Sequence, residues 1–314
     1  MSDVYGFMTK WGGTNLGQVF TPPHIAHFAA KLLEIKPDDV VLDSSAGSGA
    51  LLLSCLYEGC KAVYGIEIDN SVFGLLNKNL ALTGRQYEAL NVGAQTTEAY
   101  DFIKSKPITK AILNPPYEVK YDTYGILLNT LAALSPGTKV VLIYPINQLE
   151  KNGAAWREEF LSKHTIESII ELPSNTFQPF ASVSTAIFVL RAGVPHGDKD
   201  VFGCRIKDDG LVRQKNAFRY DKNGKWSGEY EPYWLKVVEA RGGDESCTHF
   251  NPHEHGAQYY KEIDTTPTDD DFKNTVREYM AWKAMSKLKS AGKDEKDAAI
   301  LACIHLFGVD SLRS

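Results

Sequence analysis

Cysteine is scarce and scattered in this sequence. Cys55, Cys60, Cys204, Cys247 and Cys303 form no CxxC pair and no zinc-type Cys/His spacing. That excludes a disulfide-stapled scaffold and a structural zinc site, and it suits free thiols in a reducing compartment. Long apolar runs are also missing: no stretch approaches the roughly 18 residues of a membrane span. Met1–Gly13 has no charged stretch leading into an apolar one, so no signal peptide is expected. The expectation is a cytoplasmic protein with neither a membrane anchor nor a bound metal. Positive charge is not in surplus either, with 34 Lys and Arg against 39 Asp and Glu, a net charge of −5. This argues against a strong solitary nucleic-acid binder, because phosphate contacts need clustered cations. A local basic face is still compatible with it.

What is present is an ordinary globular composition, 314 residues with 43% hydrophobic and 23% charged, enough for one large domain with an appendage. Residues 24 to 191 alternate between helical and strand patterns. Ile25, Phe28, Ala29, Leu32 and Leu33 mark a helix over 24–35; strands are expected at 40–42, 62–68, 110–113, 139–144, 166–172 and 183–190, with helices at 50–57, 71–82, 124–134 and 156–163. Strands alternating with helices predict an α/β fold, a doubly wound, mostly parallel sheet covered on both faces. Ligands in such sheets bind beyond the carboxyl ends of the strands. Asp43, Glu67 and Asn114 all fall at such ends.

The pattern breaks near Pro195, which divides the chain into a first domain, 1–195, and a C-terminal region, 196–314, expected to contact nucleic acid or a partner and to end in helices over 272–290 and 293–307. Between Arg205 and Lys225 lie seven basic residues and three acids. Arg205, Lys207, Arg213, Lys215 and Arg219 are therefore candidates for phosphate contacts, or else form a solvated basic loop.

Asp43-Ser-Ser-Ala-Gly47-Ser-Gly49 follows a strand and opens a helix. Glycines allow close backbone approach to a ligand, and a helix N-terminus offers free N–H groups. The third glycine of the dinucleotide fingerprint is missing, which disfavours NAD. The next strand ends in Gly65-Ile-Glu67-Ile-Asp69. An acid here can accept both ribose hydroxyls of an adenosine, or can simply cap the following helix.

Asn114-Pro115-Pro116-Tyr117 is the sharpest signal. An exocyclic aryl amine is a poor nucleophile because its lone pair is delocalised into the ring. A carboxamide oxygen on Asn114 and the Pro115 carbonyl can each accept one amine hydrogen, localising the lone pair toward a methyl donor. The prolines stiffen the backbone that presents them, and Tyr117 offers a ring on which a base can stack. Cytosine C5 methylation, by contrast, needs a thiolate, usually after a proline, and none of the cysteines follows one.

Taken in order, Gly17-Gln-Val-Phe-Thr-Pro-Pro, Leu42-Asp-Ser-Ser-Ala-Gly-Ser-Gly with Gly65-Ile-Glu-Ile-Asp, Asn114-Pro-Pro-Tyr, and Leu172-Pro-Ser-Asn-Thr-Phe with Ser184-Thr-Ala-Ile-Phe-Val-Leu resemble the gamma group of adenine-N6 DNA methyltransferases, especially modification subunits of type I restriction-modification systems. The resemblance covers roughly residues 15 to 225. It implies a Rossmann-like fold with S-adenosylmethionine (SAM) as cofactor and DNA as substrate, in restriction-modification or host defence. Thr21 would touch the methionine part of SAM, while Asp43, Ser45, Gly47 and Gly49 would line its loop. Glu67 would hold the ribose, with Ile68 against the adenine and Asn91 near the adenine amine. Asn114 to Tyr117 would hold a flipped base, closed over by Phe177 or Phe180. Thr21 with Pro22 also reads as a plain helix N-cap. No long target-recognition stretch is evident, so help from a separate specificity subunit or a homodimer is expected. Methylation of a protein glutamine or a ribosomal RNA amine is the competing enzyme reading, and a SAM- or DNA-binding subunit without turnover is the non-enzyme one.

Overall fold

The computed structural model describes residues 21–151, 153–178, 183–214, 217–262, 269–290 and 292. The first described helix, α1 (Pro23–Leu32), has Pro22 as its N-cap and no side-chain cap. The Thr21 cap expected from the sequence is thus displaced by one residue, and the Thr21 hydroxyl is used elsewhere. Strand β1 (Val40–Asp43) and helix α2 (Ala50–Tyr57) flank the glycine turn, followed by β2 (Ala62–Ile66), α3 (Asn70–Ala81), β3 (Gln86–Leu90) and α4 (Thr97–Ser105). Next come β4 (Lys110–Leu113), α5 (Thr123–Ala133), β5 (Lys139–Pro145), α6 (Ala154–Lys163), β6 (Thr165–Glu171) and β7 (Thr185–Arg191).

These strands join β8 (Val201–Arg205) and β11 (Thr248–Phe250) in one sheet of order β11-β8-β6-β7-β5-β4-β1-β2-β3. β1 to β5 pair in parallel, while β7 runs antiparallel between β5 and β6, and β11 runs antiparallel to β8. Every residue of β1 and β2 is buried, as expected where helices cover both faces of a parallel sheet. One face packs Ile25, Phe28, Leu52 and Leu76 against Val41, Ile112 and Val141. The other packs Ile103, Leu127, Leu131 and Phe160 against Leu42, Leu113, Leu142 and Phe188. Each such fully buried side chain contributes about 1.5–3 kcal/mol, which makes the sheet the rigid base for whatever its strand ends carry.

The chain from 196 onward does not separate where the sequence pattern breaks. β8 and β11 extend the sheet, and the compact unit runs to Lys261, with a second unit from Glu262. A hairpin of β9 (Val212–Gln214) and β10 (Ala217–Tyr220) leads to a π-helical turn, Trp226–Tyr230, and α7 (Glu231–Ala240). Trp226 packs edge-on against His24 and Phe28 of α1, and Lys31 of α1 pairs with Glu231 of α7 at 2.7 Å. The second unit contributes α9 (Asp269–Ser290), which follows the short α8 (Pro252–His255) of the first. The helix expected over 293–307 lies outside the described residues.

Candidate active site at the carboxyl ends of the strands

The winding reverses at β1: β2 and β3 lie on one side of it, β4 and β5 on the other. A crevice opens beyond the strand ends at such a point. Here it is a cavity of about 400 Å³ lined by Ser44, Ser45 and Gly47 after β1, Ile66 to Asp69 at the end of β2, Val92 to Gln95 after β3, and Asn114 and Pro116 after β4. Its remaining wall is Lys120, Tyr121, Asp122 and Ile126. Size and apolar walls with a few convergent polar groups are those of a small-molecule site.

Glu67 is 7% exposed and turned toward the glycine loop. Its carboxylate accepts the Gly47 N–H at 2.9 Å and the Asp69 N–H at 2.8 Å. Burial raises its pKa. The two acids of the segment therefore part company. Both border the cavity, but Asp69 caps α3, accepting from the N–H groups of Ser71 and Val72 at 2.9 and 3.0 Å, while Glu67 holds the glycine loop. Ile68, between them, is 63% exposed on the cavity wall, an apolar surface for a flat ring to cover. Gly49 adopts φ +91°, a left-handed backbone that strains any other residue, and a Cβ there would also press on Leu76 Cδ1 at 2.9 Å.

Asp43 lies beneath the loop, 1% exposed, holding the Ser45 N–H at 2.9 Å. Burial, reinforced by the nearby Glu67 charge, pushes its carboxyl up to about 7. A carboxyl raised in the folded state favours folding less and less as pH climbs from about 4 through 7, because ionisation costs more inside than in the unfolded chain. Asp43→Asn keeps the acceptor and removes the charge. It should melt several degrees above wild type at pH 8 and close to wild type at pH 4, with about 2–4 °C gained for each kcal/mol. Thermal melts across that range decide it: a pH-independent difference refutes the assignment.

Asn91 does not line the cavity. Its amide donates to the Glu67 and Ile68 carbonyls at 2.7 and 3.2 Å, so it braces the loop that carries both residues.

Asn114 brings the second half of the pattern to the same cavity. Its Nδ2 donates to Thr21 Oγ1 at 2.8 Å, and its Oδ1 accepts from the Tyr117 hydroxyl at 2.6 Å. Pro115 is buried, and the Pro116 carbonyl is held by the Thr123 hydroxyl at the start of α5. Burial raises the Tyr117 phenol well above its ordinary value, so it stays protonated and donates. Phe177, 1% exposed, meets the Tyr117 ring edge-on at 6.2 Å. Phe180 lies outside the described residues.

The candidate phosphate contacts fare differently. Arg219 is 6% exposed and forms a double hydrogen bond with Asp209, itself fully buried. Burial alone would raise the Asp209 carboxyl, but His24 and Arg219 beside it hold it at about 2. Arg219 is therefore a core residue joining the β9–β10 hairpin to the Asp209 loop, with no surface left for phosphate. Arg205 pairs with Glu171 at 2.9 Å, and Lys207 with Glu245 at 3.3 Å. Arg213 lies in β9, and Lys215 is outside the described residues.

Sequence reasoning missed the far wall of the cavity. Gln95 donates to the Tyr121 carbonyl at 2.6 Å, tying the loop after β3 to the turn Val119–Tyr121. These are unpatterned polar loop residues, and only the sheet brings them together. Among the described residues no group of three or more His, Cys, Asp and Glu is placed to hold a metal ion, and no helix is long and apolar enough to cross a membrane.

Residues 1–130 match the N-6 DNA Methylase family. A type II restriction enzyme and methyltransferase, RM.BcgI of Heyndrickxia coagulans, is 28% identical over 316 residues, spanning 90% of this chain and 49% of its own length. Ribosomal RNA small subunit methyltransferase A of Prochlorococcus marinus is 26% identical over 167 residues, 49% of this chain and 59% of that protein. The type I restriction-modification methyltransferase subunit of Streptococcus thermophilus superimposes with a TM-score of 0.65 at 18% identity, covering 81% of this chain and 60% of that one. The chain spans about half the length of the curated relatives it matches. The fold is that of the SAM-dependent methyltransferases, and the chain is similar to N-6 DNA methylases and to a restriction-modification methyltransferase.

Proposed function

We propose that this chain transfers the methyl group of SAM to the N6 amine of an adenine flipped out of DNA. The observation that carries the proposal is that Asn114 lines the same cavity as Gly47 and Glu67. The amine-holding and the nucleoside-holding halves of the pattern thereby share one space. The cavity fits the cofactor: Glu67 offers carboxylate lone pairs for ribose hydroxyls, Ile68 an apolar face for adenine, and Ser45 and Gly47 a glycine-turn lip. SAM, when bound, supplies a methyl group activated on a sulfonium. The protein's part is to orient the acceptor. Asn114 Oδ1 and the Pro115 carbonyl take the two amine hydrogens, drawing the nitrogen lone pair out of the ring. The ring of Tyr117 stacks on the base, and positioning for in-line transfer supplies much of the rate. Extruding the base costs a few kcal/mol, which stacking worth about 1–3 kcal/mol per base helps to offset.

The decisive assay offers methyl-tritiated SAM with DNA, total RNA and protein extract in parallel, with sequencing of DNA from expressing cells to locate methylated adenine. Label in DNA supports the proposal. Label confined to RNA or protein overturns it in favour of the ribosomal RNA or glutamine reading, the first of which has its own partial likeness. Glu67→Ala should weaken SAM binding roughly ten- to a hundredfold, the worth of one charge-assisted hydrogen bond. Calorimetry reads it directly, and unchanged affinity removes Glu67 from the ribose.

We infer also that DNA-site selection draws on a second polypeptide, a specificity subunit or another copy of this chain. The support is that Arg205 and Lys207 are paired with Glu171 and Glu245, and Arg219 is buried. The cavity-lining Lys120 is engaged by Glu118 at 2.8 Å.

A further inference from the structure

Resting on that methyl-transfer reading, we propose that the Thr21 hydroxyl is a positioning group for the catalytic carboxamide. A carboxamide has two ends of opposite character on nearly the same shape. Only one orientation presents an acceptor to an amine; the other presents an N–H and repels it. Proline flanks fix the backbone of Asn114 but do not decide which end of its side chain faces the base.

Thr21 and Tyr117 hold the two ends of the amide between them, with Thr21 at Nδ2. Thr21 is 7% exposed, and its Oγ1 accepts from Asn114 Nδ2 at 2.8 Å. The hydroxyl is not employed as the cap of α1, whose N-cap is Pro22. Among the described residues Thr21 does not line the cavity beyond the strand ends, whereas Asn114 does. With Nδ2 anchored on Thr21, Oδ1 is turned the other way, where it accepts from Tyr117 at 2.6 Å. A valine at 21 has the same shape and no lone pair, so it leaves Nδ2 without its acceptor and frees the amide to turn over.

The two carriers of this geometry are far apart in sequence, 93 residues, which is why the dipeptide Thr21-Pro22 reads as a helix start when taken alone. α1 packs on the sheet face that carries Ile112 of β4, and this packing sets Thr21 against the residue that follows that strand.

The test compares wild type, Thr21→Val, Thr21→Ala and Thr21→Ser in three measurements: single-turnover methyl transfer to DNA at saturating SAM, SAM affinity by calorimetry, and exchange protection of the Asn114 side-chain NH₂ by NMR. Expected for Thr21→Val and Thr21→Ala is a rate lowered roughly tenfold, the factor matching one hydrogen bond near the top of its usual net worth. SAM affinity should be unchanged, the Asn114 NH₂ should exchange faster, and Thr21→Ser should restore both rate and protection. Weakened SAM affinity with an unchanged saturated rate overturns the proposal and gives Thr21 to the cofactor. Unchanged rate and unchanged protection overturn it outright. Should wild type label no DNA, the methyl-transfer reading fails by itself. The NMR arm then still decides whether Thr21 anchors Asn114, without any activity. If Thr21→Val does not fold, Thr21→Ala carries the comparison.

Discussion

Asn114→Ala is expected to lower methyl transfer by about a hundred- to a thousandfold, the loss that follows removal of one fixed polar group from a reacting centre. SAM affinity should stay within about twofold of wild type, because the groups proposed to face the cofactor sit at the β1 and β2 ends: Gly47, Glu67 and Ile68. The split between rate and binding is the informative part. An interaction made only as the methyl group moves shows in the rate at saturation and not in cofactor affinity. Filter-binding of tritiated DNA measures the rate, and calorimetry the affinity. Full activity in the variant would exclude the carboxamide from the chemistry and with it the proposed mechanism. Loss of SAM binding together with activity would instead mark Asn114 as part of the cofactor wall. Asn114→Asp sharpens the result, since it keeps an acceptor oxygen but replaces the Nδ2 donor to Thr21 with a second oxygen.

The second large effect concerns folding. Arg219→Ala removes the partner of a carboxylate that has no exposed surface and that is held at about 2. Leaving an uncompensated charge in the interior costs about 3–5 kcal/mol. Arg219 also gathers the β9–β10 hairpin against the Asp209 loop, and His24 Nε2 of α1 lies 3.4 Å from the same carboxylate. Thermal or urea unfolding should therefore show a strongly lowered midpoint in Arg219→Ala, with much of the loss recovered in Asp209→Asn combined with Arg219→Met, where neither charge remains. Wild-type stability combined with weakened DNA binding would return Arg219 to the surface role that its sequence neighbourhood suggests.

That contrast shows what was legible in the sequence and what was not. The alternation of buried strands and amphipathic helices is a local signal, and β1, β2, β4, β5 and α2 fall within two residues of where hydrophobic spacing puts them. β3 escaped because it is a sheet edge: Gln86 and Glu88 are exposed, so its pattern is polar and short. α4 is nine residues long, with Ala99 and Ile103 its buried positions, too few to mark a face. The strand-end positions of Glu67 and Asn114 stand out in the sequence because each directly follows a strand, one two residues after Gly65 and the other just before Pro115. Arg219 was misread because charge counting treats a basic cluster as surface, whereas the deciding fact, Asp209 opposite it, is a tertiary pairing. The cap expected at Thr21 falls on Pro22 for the same reason, since the partner of the Thr21 hydroxyl, Asn114, comes from another strand end. The boundary at 195 reflects a change of sequence texture; β8 and β11 still pair onto the sheet, so the compact unit reaches Lys261.

On the proposed reading, the phenol of Tyr117, resting on the oxygen of Asn114, stands in for the amine of a guest base. An incoming amine would not fill a vacancy; it would trade places with an O–H already seated there. Breaking that O–H contact would then add to the few kcal/mol of extruding the base.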